Sequence, residues 1–133
     1  MMYHNIDYGA VLVAMVVSVV IGMIWYADPV FGRVWKRLHG LSAPHKPTAA
    51  AFAIWAVGAY IMAYTVFRVL VVRMNVTSMG DALMTGALLA VGLVVAGAAP
   101  GYAMARKPLA LAAIELGYVV LSILVMSAIA VAW

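Results

Sequence analysis

Four apolar stretches, each long enough to cross a bilayer, take up nearly all of this 133-residue chain. The first runs from about Ala10 to Ala27, the second from about Ala49 to Val72. The third runs from about Met79 to Ala99, and the fourth from about Leu109 to Ala132. A spanning helix needs ~20 residues to cross ~30 Å of hydrocarbon, and each run meets that length. Backbone polar groups in lipid must be satisfied inside the segment, and none of the runs alternates as a barrel strand does. The pattern predicts an all-α fold: a single four-helix transmembrane domain over residues 1–133.

Composition excludes a water-soluble alternative. The chain is 68% hydrophobic and 9% charged, against roughly 45–50% and about 25% for a soluble domain. It has no cysteine, so thiolate chemistry and cysteine-ligated metal sites are outside its repertoire. The net charge of +4 resides at the ends of apolar runs, where basic residues set topology or meet anionic head groups. Nucleic acid is therefore not an expected partner. The N-terminal flank carries no Lys or Arg, and no small-residue cleavage site follows the first run, so a retained helix is expected there.

Boundary residues sharpen the helix ends. Thr48 is expected to N-cap the second helix. Ser78, with Asp81 three residues on, is a capping-box pattern for the third. Pro108 suits the start of the fourth. Pro100 is expected to kink or end the third helix near the interface. Between the first two runs, Asp28, Pro29 and Gly40 bracket a short helix of about 29–39. Val30, Phe31, Val34, Trp35 and Leu38 fall on one face and Arg33, Lys36 and Arg37 on the other. This predicts an amphipathic helix lying in the interface, with a lid over the bundle end as the alternative.

The connectors between the first and second runs and between the third and fourth hold Arg33, Lys36, Arg37, Lys46, Arg106 and Lys107. The opposite side holds Arg73, plus Arg68 snorkelling from its helix end. The positive-inside bias predicts a multi-pass protein of the cell (inner) membrane with both termini outside the cytoplasm. Anionic head groups are expected partners of Arg33, Lys36 and Arg37.

Two segments carry a resemblance. W-Y-A-D-P-V-F-G-R-V-W-K-R-L-H-G spans Trp25 to Gly40, and G-Y-V-V-L-S-I-L-V-M-S-A-I-A-V-A-W spans Gly117 to Trp133. Together they resemble a bacterial and archaeal membrane family, the domain-of-unknown-function family 1761. The resemblance covers nearly the whole chain and rests on the spacing of Trp25, Tyr26, Pro29, Phe31, Gly32, Trp35, Gly40 and Gly117. It implies four membrane helices and no established activity. An acidic residue often precedes the Arg between the last two helices in that pattern. Here Met104 and Ala105 stand before Arg106, so a role tied to that acid does not transfer. The polar position just before the Gly-Tyr pair is held by Glu115.

Glu115 is the most informative single residue. It lies six residues into the fourth run, roughly 9 Å below the interface at 1.5 Å per residue. A charge at membrane depth costs about 2.5–3.5 kcal/mol on insertion scales and marks a functional hypothesis. Tyr118 and Ser122 share its face at i+3 and i+7. Glu115, Tyr118 and Arg106 are thus the candidate functional residues, with a proton carrier or cation site set against a hydrogen-bonded structural acid. Pairs of small residues, Ser18 with Gly22, Ala59 with Ala63 and Gly97 with Gly101, suggest close helix contacts. Trp25, Tyr26, Trp35, Tyr102 and Trp133 read as an interfacial aromatic belt. Tyr60, Tyr64 and Phe67 form a stripe that reads as packing.

His4, His39 and His45 lie outside the apolar runs and show no metal-ligand spacing. Phosphate-binding loops, paired carboxylates and Ser–His–Asp sets are likewise missing from the sequence, so no catalytic residue, metal or cofactor is expected and an enzyme is not. Two readings remain. One is a non-enzymatic accessory or scaffold component, forming a homo-oligomer or joining a membrane complex. The other is a small oligomeric transporter or channel with Glu115 as the coupling group.

Overall fold

The computed structural model describes residues 6–38 and 48–133; the expected helix end at Gly40, together with His4, His39, His45 and Lys46, lies outside them. The described chain is helical. Helix α1 is Tyr8–Trp25. Helix α2 covers residues 28–38, a π-helical turn Asp28–Gly32 running into α-helix Arg33–Leu38. Helices α3 (Ala49–Arg73), α4 (Met79–Met104) and α5 (Leu109–Ala132) follow, and α1, α3, α4 and α5 are each long and apolar enough to cross a membrane. The expected four spans and short intervening helix are therefore present.

The caps explain the boundaries. The Asp7 carboxylate accepts from the N–H groups of Gly9 and Ala10 at 2.9 and 3.2 Å, starting α1 two residues ahead of expectation. Thr48 Oγ1 accepts from Ala51 N–H at 3.1 Å and Ser78 Oγ from Asp81 N–H at 3.1 Å, as the sequence predicts. Pro108 takes the N-cap position of α5 with extended backbone.

Pro100 does not end α4. The helix continues to Met104, with Pro100 inside its last segment, Ala96–Met104. A π-helical turn, Ala90–Val95, lies directly before that segment. Such a local widening is one way a transmembrane helix accommodates a proline ring and its missing donor. The helix then closes on Arg106, whose φ is 55°. Arg106 N–H donates to Ala103 O and Lys107 N–H to Tyr102 O, at 3.1 and 2.9 Å. That is the paired closure of a Schellman turn, with arginine at the left-handed position usually given to glycine. Asn75 (φ 51°) closes α3 in a similar way, with Val76 N–H donating to Leu70 O at 2.8 Å.

Small side chains set the packing. On α1, Ala10, Ala14, Ser18 and Gly22 recur every four residues and all are buried. The α1 helix packs on α3 and α5, and α4 packs on α5, so the fourth span is central. Along α4 the contact positions are Ala82, Gly86 and Ala90, all buried. A Cβ on Gly86 would meet Ser127 Oγ, whose hydroxyl donates back to Ile123 O at 2.7 Å. In lipid there is no hydrophobic force between helices, so close backbone approach and interhelical hydrogen bonds hold the bundle. Ala59, Ala63 and Phe67 of α3 are buried in the core as packing residues. Tyr64 stacks on Tyr8 with ring centroids 6.2 Å apart. At the end opposite α2, Trp133 Nε1 donates to Asp7 Oδ2 at 2.7 Å, tying the described N-terminal segment to the end of α5.

Candidate functional site

The site sits where α1, α2, α4 and α5 meet. At the end of α1, Tyr26 N–H closes onto Gly22 O at 2.9 Å and Ala27 N–H onto Ile24 O at 3.1 Å. The chain then reverses into the π-helical turn, with Pro29 near its start and Gly32 N–H donating to Ala27 O at 2.9 Å. Gly32 is required here by close approach. A Cβ at this position would strike the Tyr26 carbonyl oxygen and the Ala27 carbonyl group, both backbone. The turn folds α2 back across the end of α1.

That fold-back assembles the aromatic residues. Phe31 lies against Trp25 at 4.7 Å between ring centroids, and Trp35, four residues on, meets Tyr26 edge-on at 5.5 Å. Trp35 Nε1 then donates to Glu115 Oε2 at 3.0 Å. Tyr102, from the last segment of α4, donates to Glu115 Oε1. Trp25 Nε1 donates to the Ile114 carbonyl at 2.9 Å, alongside Gly117, where an added Cβ would lie 3.2 Å from the Trp25 ring. The helix from the first connector thus binds the fourth span through Trp35, as a lid does. Arg33 and Arg37 on its other side are exposed, as an amphipathic interfacial helix requires.

A second polar layer lies deeper. Tyr118 OH donates to Ser18 O at 2.8 Å, accepts from Trp55 Nε1 at 3.1 Å and lies 3.1 Å from Ser18 Oγ. Ser18 Oγ donates to Ser122 Oγ at 3.1 Å. The Trp55 ring covers Tyr118 edge-on at 6.1 Å and would overlap a Cβ on Gly22, so that glycine makes room for the indole. Tyr26 joins the two layers by an edge contact with Tyr118 at 5.7 Å. Burial, then the neighbouring Glu115 carboxylate, pushes the Tyr26 phenol up, so it stays protonated at ordinary pH.

Of the residues singled out from sequence, Glu115, Trp25, Tyr26, Phe31, Gly32, Trp35 and Gly117 come together. Tyr118 is on the same helix as Glu115 but turns to Ser18 and Trp55. Arg106 stands apart as the exposed residue that closes α4. Trp25, Tyr26, Trp35 and Tyr102, expected near the interface, pack at one end of the bundle, where Trp35 and Tyr102 bond the Glu115 carboxylate. Trp55 was not anticipated: its partner Tyr118 is 63 residues away, and no local pattern reveals that contact.

Chemically, the arrangement is a satisfied clamp. Every buried side-chain nitrogen and oxygen among the described residues has a hydrogen-bond partner. An indole N–H can only donate, so Trp35 holds Oε2 as an acceptor. A phenol can donate or accept, so Tyr102 can serve either a carboxylate or a protonated Oε1 with the bond reversed. No group of three His, Asp or Glu side chains among the described residues could hold a metal ion.

No curated protein and no solved structure matches this chain. The family model described as "Protein of unknown function (DUF1761)" matches residues 9–131. The chain therefore belongs to that family, as a small membrane protein of four spans.

Proposed function

We propose that this chain is a non-enzymatic accessory or scaffold component that packs within the membrane, against itself or a larger complex. The observation that carries this reading is that the interior polar groups are consumed by one another. Glu115 accepts from Trp35 and Tyr102, and Ser18, Trp55, Tyr118 and Ser122 bond one another in a second layer. What the chain offers a partner is its outer faces. A Cβ added at Gly58, Gly92, Gly97 or Gly101 would meet open space, so a foreign helix could approach those backbones closely. Glu115 then acts as a latch that holds α2 on the bundle. The basic residues of the connectors support an orientation with α2 on the cytoplasmic side and both termini outside.

Cysteine crosslinking in native membranes tests this directly, because the chain carries no cysteine of its own. Single cysteines at Gly58 and Gly97 should trap a partner chain. Free monomer after purification, with no trapped partner from either position, would overturn the proposal.

One observation favours a second reading, a small transporter with Glu115 as the coupling group. Trp35 and Tyr102 donate to Glu115 from different elements, α2 and α4, and Tyr102 can reverse its bond. Displacement of α2 would release the Trp35 donor from the carboxylate and leave it able to carry a proton. Proton flux through the reconstituted protein separates the two readings.

A further inference from the structure

An apolar groove of about 490 Å³ runs along the outer seam between α4 and α5, beyond the clamp. Val95 and Ala99 form one wall. Leu109, Ala113, Leu116 and Leu124 lie along the other. It follows α5 from Leu109 to Leu124, a rise of about 22 Å at 1.5 Å per residue. One hydrocarbon leaflet is half of ~30 Å deep, so the groove is long enough for an extended acyl chain. Small residues, Ala99, Ala112, Ala113 and Gly117, line it between the leucines, where larger side chains would fill it.

The end of the groove has a charge of defined sign. The tight connector joining α4 to α5 carries Arg106 and Lys107, both exposed, immediately before the groove residue Leu109. Arg106 is fixed in the left-handed turn by the bonds of its own and the following N–H to Ala103 O and Tyr102 O, so the connector is held at the mouth. The adjoining first turn of α5 has no side-chain cap, which adds positive potential at the same place. An acyl-sized apolar groove with two cations at its interfacial end matches one class of partner.

We propose that this seam is a binding site for an anionic phospholipid, one acyl chain in the groove and the phosphate at Arg106 and Lys107. The site is distinct from the Arg33, Lys36 and Arg37 face of α2 and does not depend on what Glu115 does. A second copy of the chain is the competing occupant.

Native mass spectrometry of the full chain with added phosphatidylglycerol or phosphatidylcholine of matched acyl chains tests the site. Wild type should retain phosphatidylglycerol at roughly thirtyfold lower lipid concentration, the preference two basic residues confer on an anionic head group. The double variant Arg106→Gln, Lys107→Gln should lose most of that preference, keeping only what the Arg33, Lys36 and Arg37 face confers, while still holding either lipid. Ala113→Trp, which fills the groove, should weaken retention of both. Equal retention of the two lipids by wild type would overturn the proposal, as would a preference undiminished in the double variant. Efficient disulfide trapping of a second chain by Ala113→Cys in membranes would also overturn it, by assigning the groove to self-association.

Discussion

Trp35 donates its indole N–H to Glu115 at 3.0 Å across 80 residues of sequence. This bond joins the short helix of the first connector to the central span, and it bears on both residues at once. The acid at membrane depth gains a donor, and the amphipathic helix gains a fixed seat. Trp35→Phe keeps the ring against Tyr26 but removes the donor. We expect a loss of about 1–3 kcal/mol, the contribution of one hydrogen bond to a carboxyl group, read as a lowered midpoint in thermal unfolding. Hydrogen exchange should rise across residues 28–38 and much less in α3.

Gly22 and Gly97 should respond oppositely to the same change. A Cβ at Gly22 falls on the Trp55 ring and within 3.0 Å of Tyr118 Cε1, whereas nothing lies near Gly97. Gly22→Ala should destabilise by about 1–3 kcal/mol through overpacking and disturb Trp55 fluorescence. Gly97→Ala should leave the fold intact and weaken any contact with a partner helix. Comparing melting with crosslinking yield for the two variants checks this.

Arg106 carries a φ of 55° that an L side chain rarely adopts. Arg106→Gly should relieve that strain and raise stability by ~0.5–1 kcal/mol in detergent. Arg106→Val should lower it, since a β-branched residue fits the left-handed region poorly. Paired thermal melts of the two variants provide the comparison.

The Asp7 carboxyl lies below its ordinary value of 3.8, because Trp133 and then the Ala10 N–H donate to its charged form. A depressed carboxyl contributes stability above its unfolded pKa and loses it as pH falls through the folded value. The clasp between Asp7 and Trp133 should therefore hold at neutral pH and release below the ordinary carboxylate range. Trp133 fluorescence followed from pH 7 into acid, with Asp7→Asn as the pH-independent control, should reveal the change. The site is exposed, so the effect on global unfolding should be small.

The spans were legible because length and apolarity alone define them, and α5 begins and ends where the sequence places it. The third helix outran its expected end because a widened turn at Ala90–Val95 precedes Pro100, and no residue preference announces such a turn. Glu115 was legible as a costly acid. Its partners were not, since Trp35 and Tyr102 reach it only through a chain reversal at Gly32 and the extension of α4 past Pro100. The small stripe on α1 was half visible: Ser18 and Gly22 stood out, while Ala10 and Ala14 merged with their apolar neighbours. Trp55 looked like any aromatic in a lipid-facing run until Gly22 opened room for it.

On the proposed reading, Glu115 latches the bundle and does not move protons. The most direct test is proton flux into proteoliposomes, comparing wild type, Glu115→Gln and empty vesicles under an imposed gradient. The latch account predicts that wild type and Glu115→Gln both match empty vesicles. Flux by wild type above the empty-vesicle rate, abolished by Glu115→Gln in a protein that still folds, would contradict it.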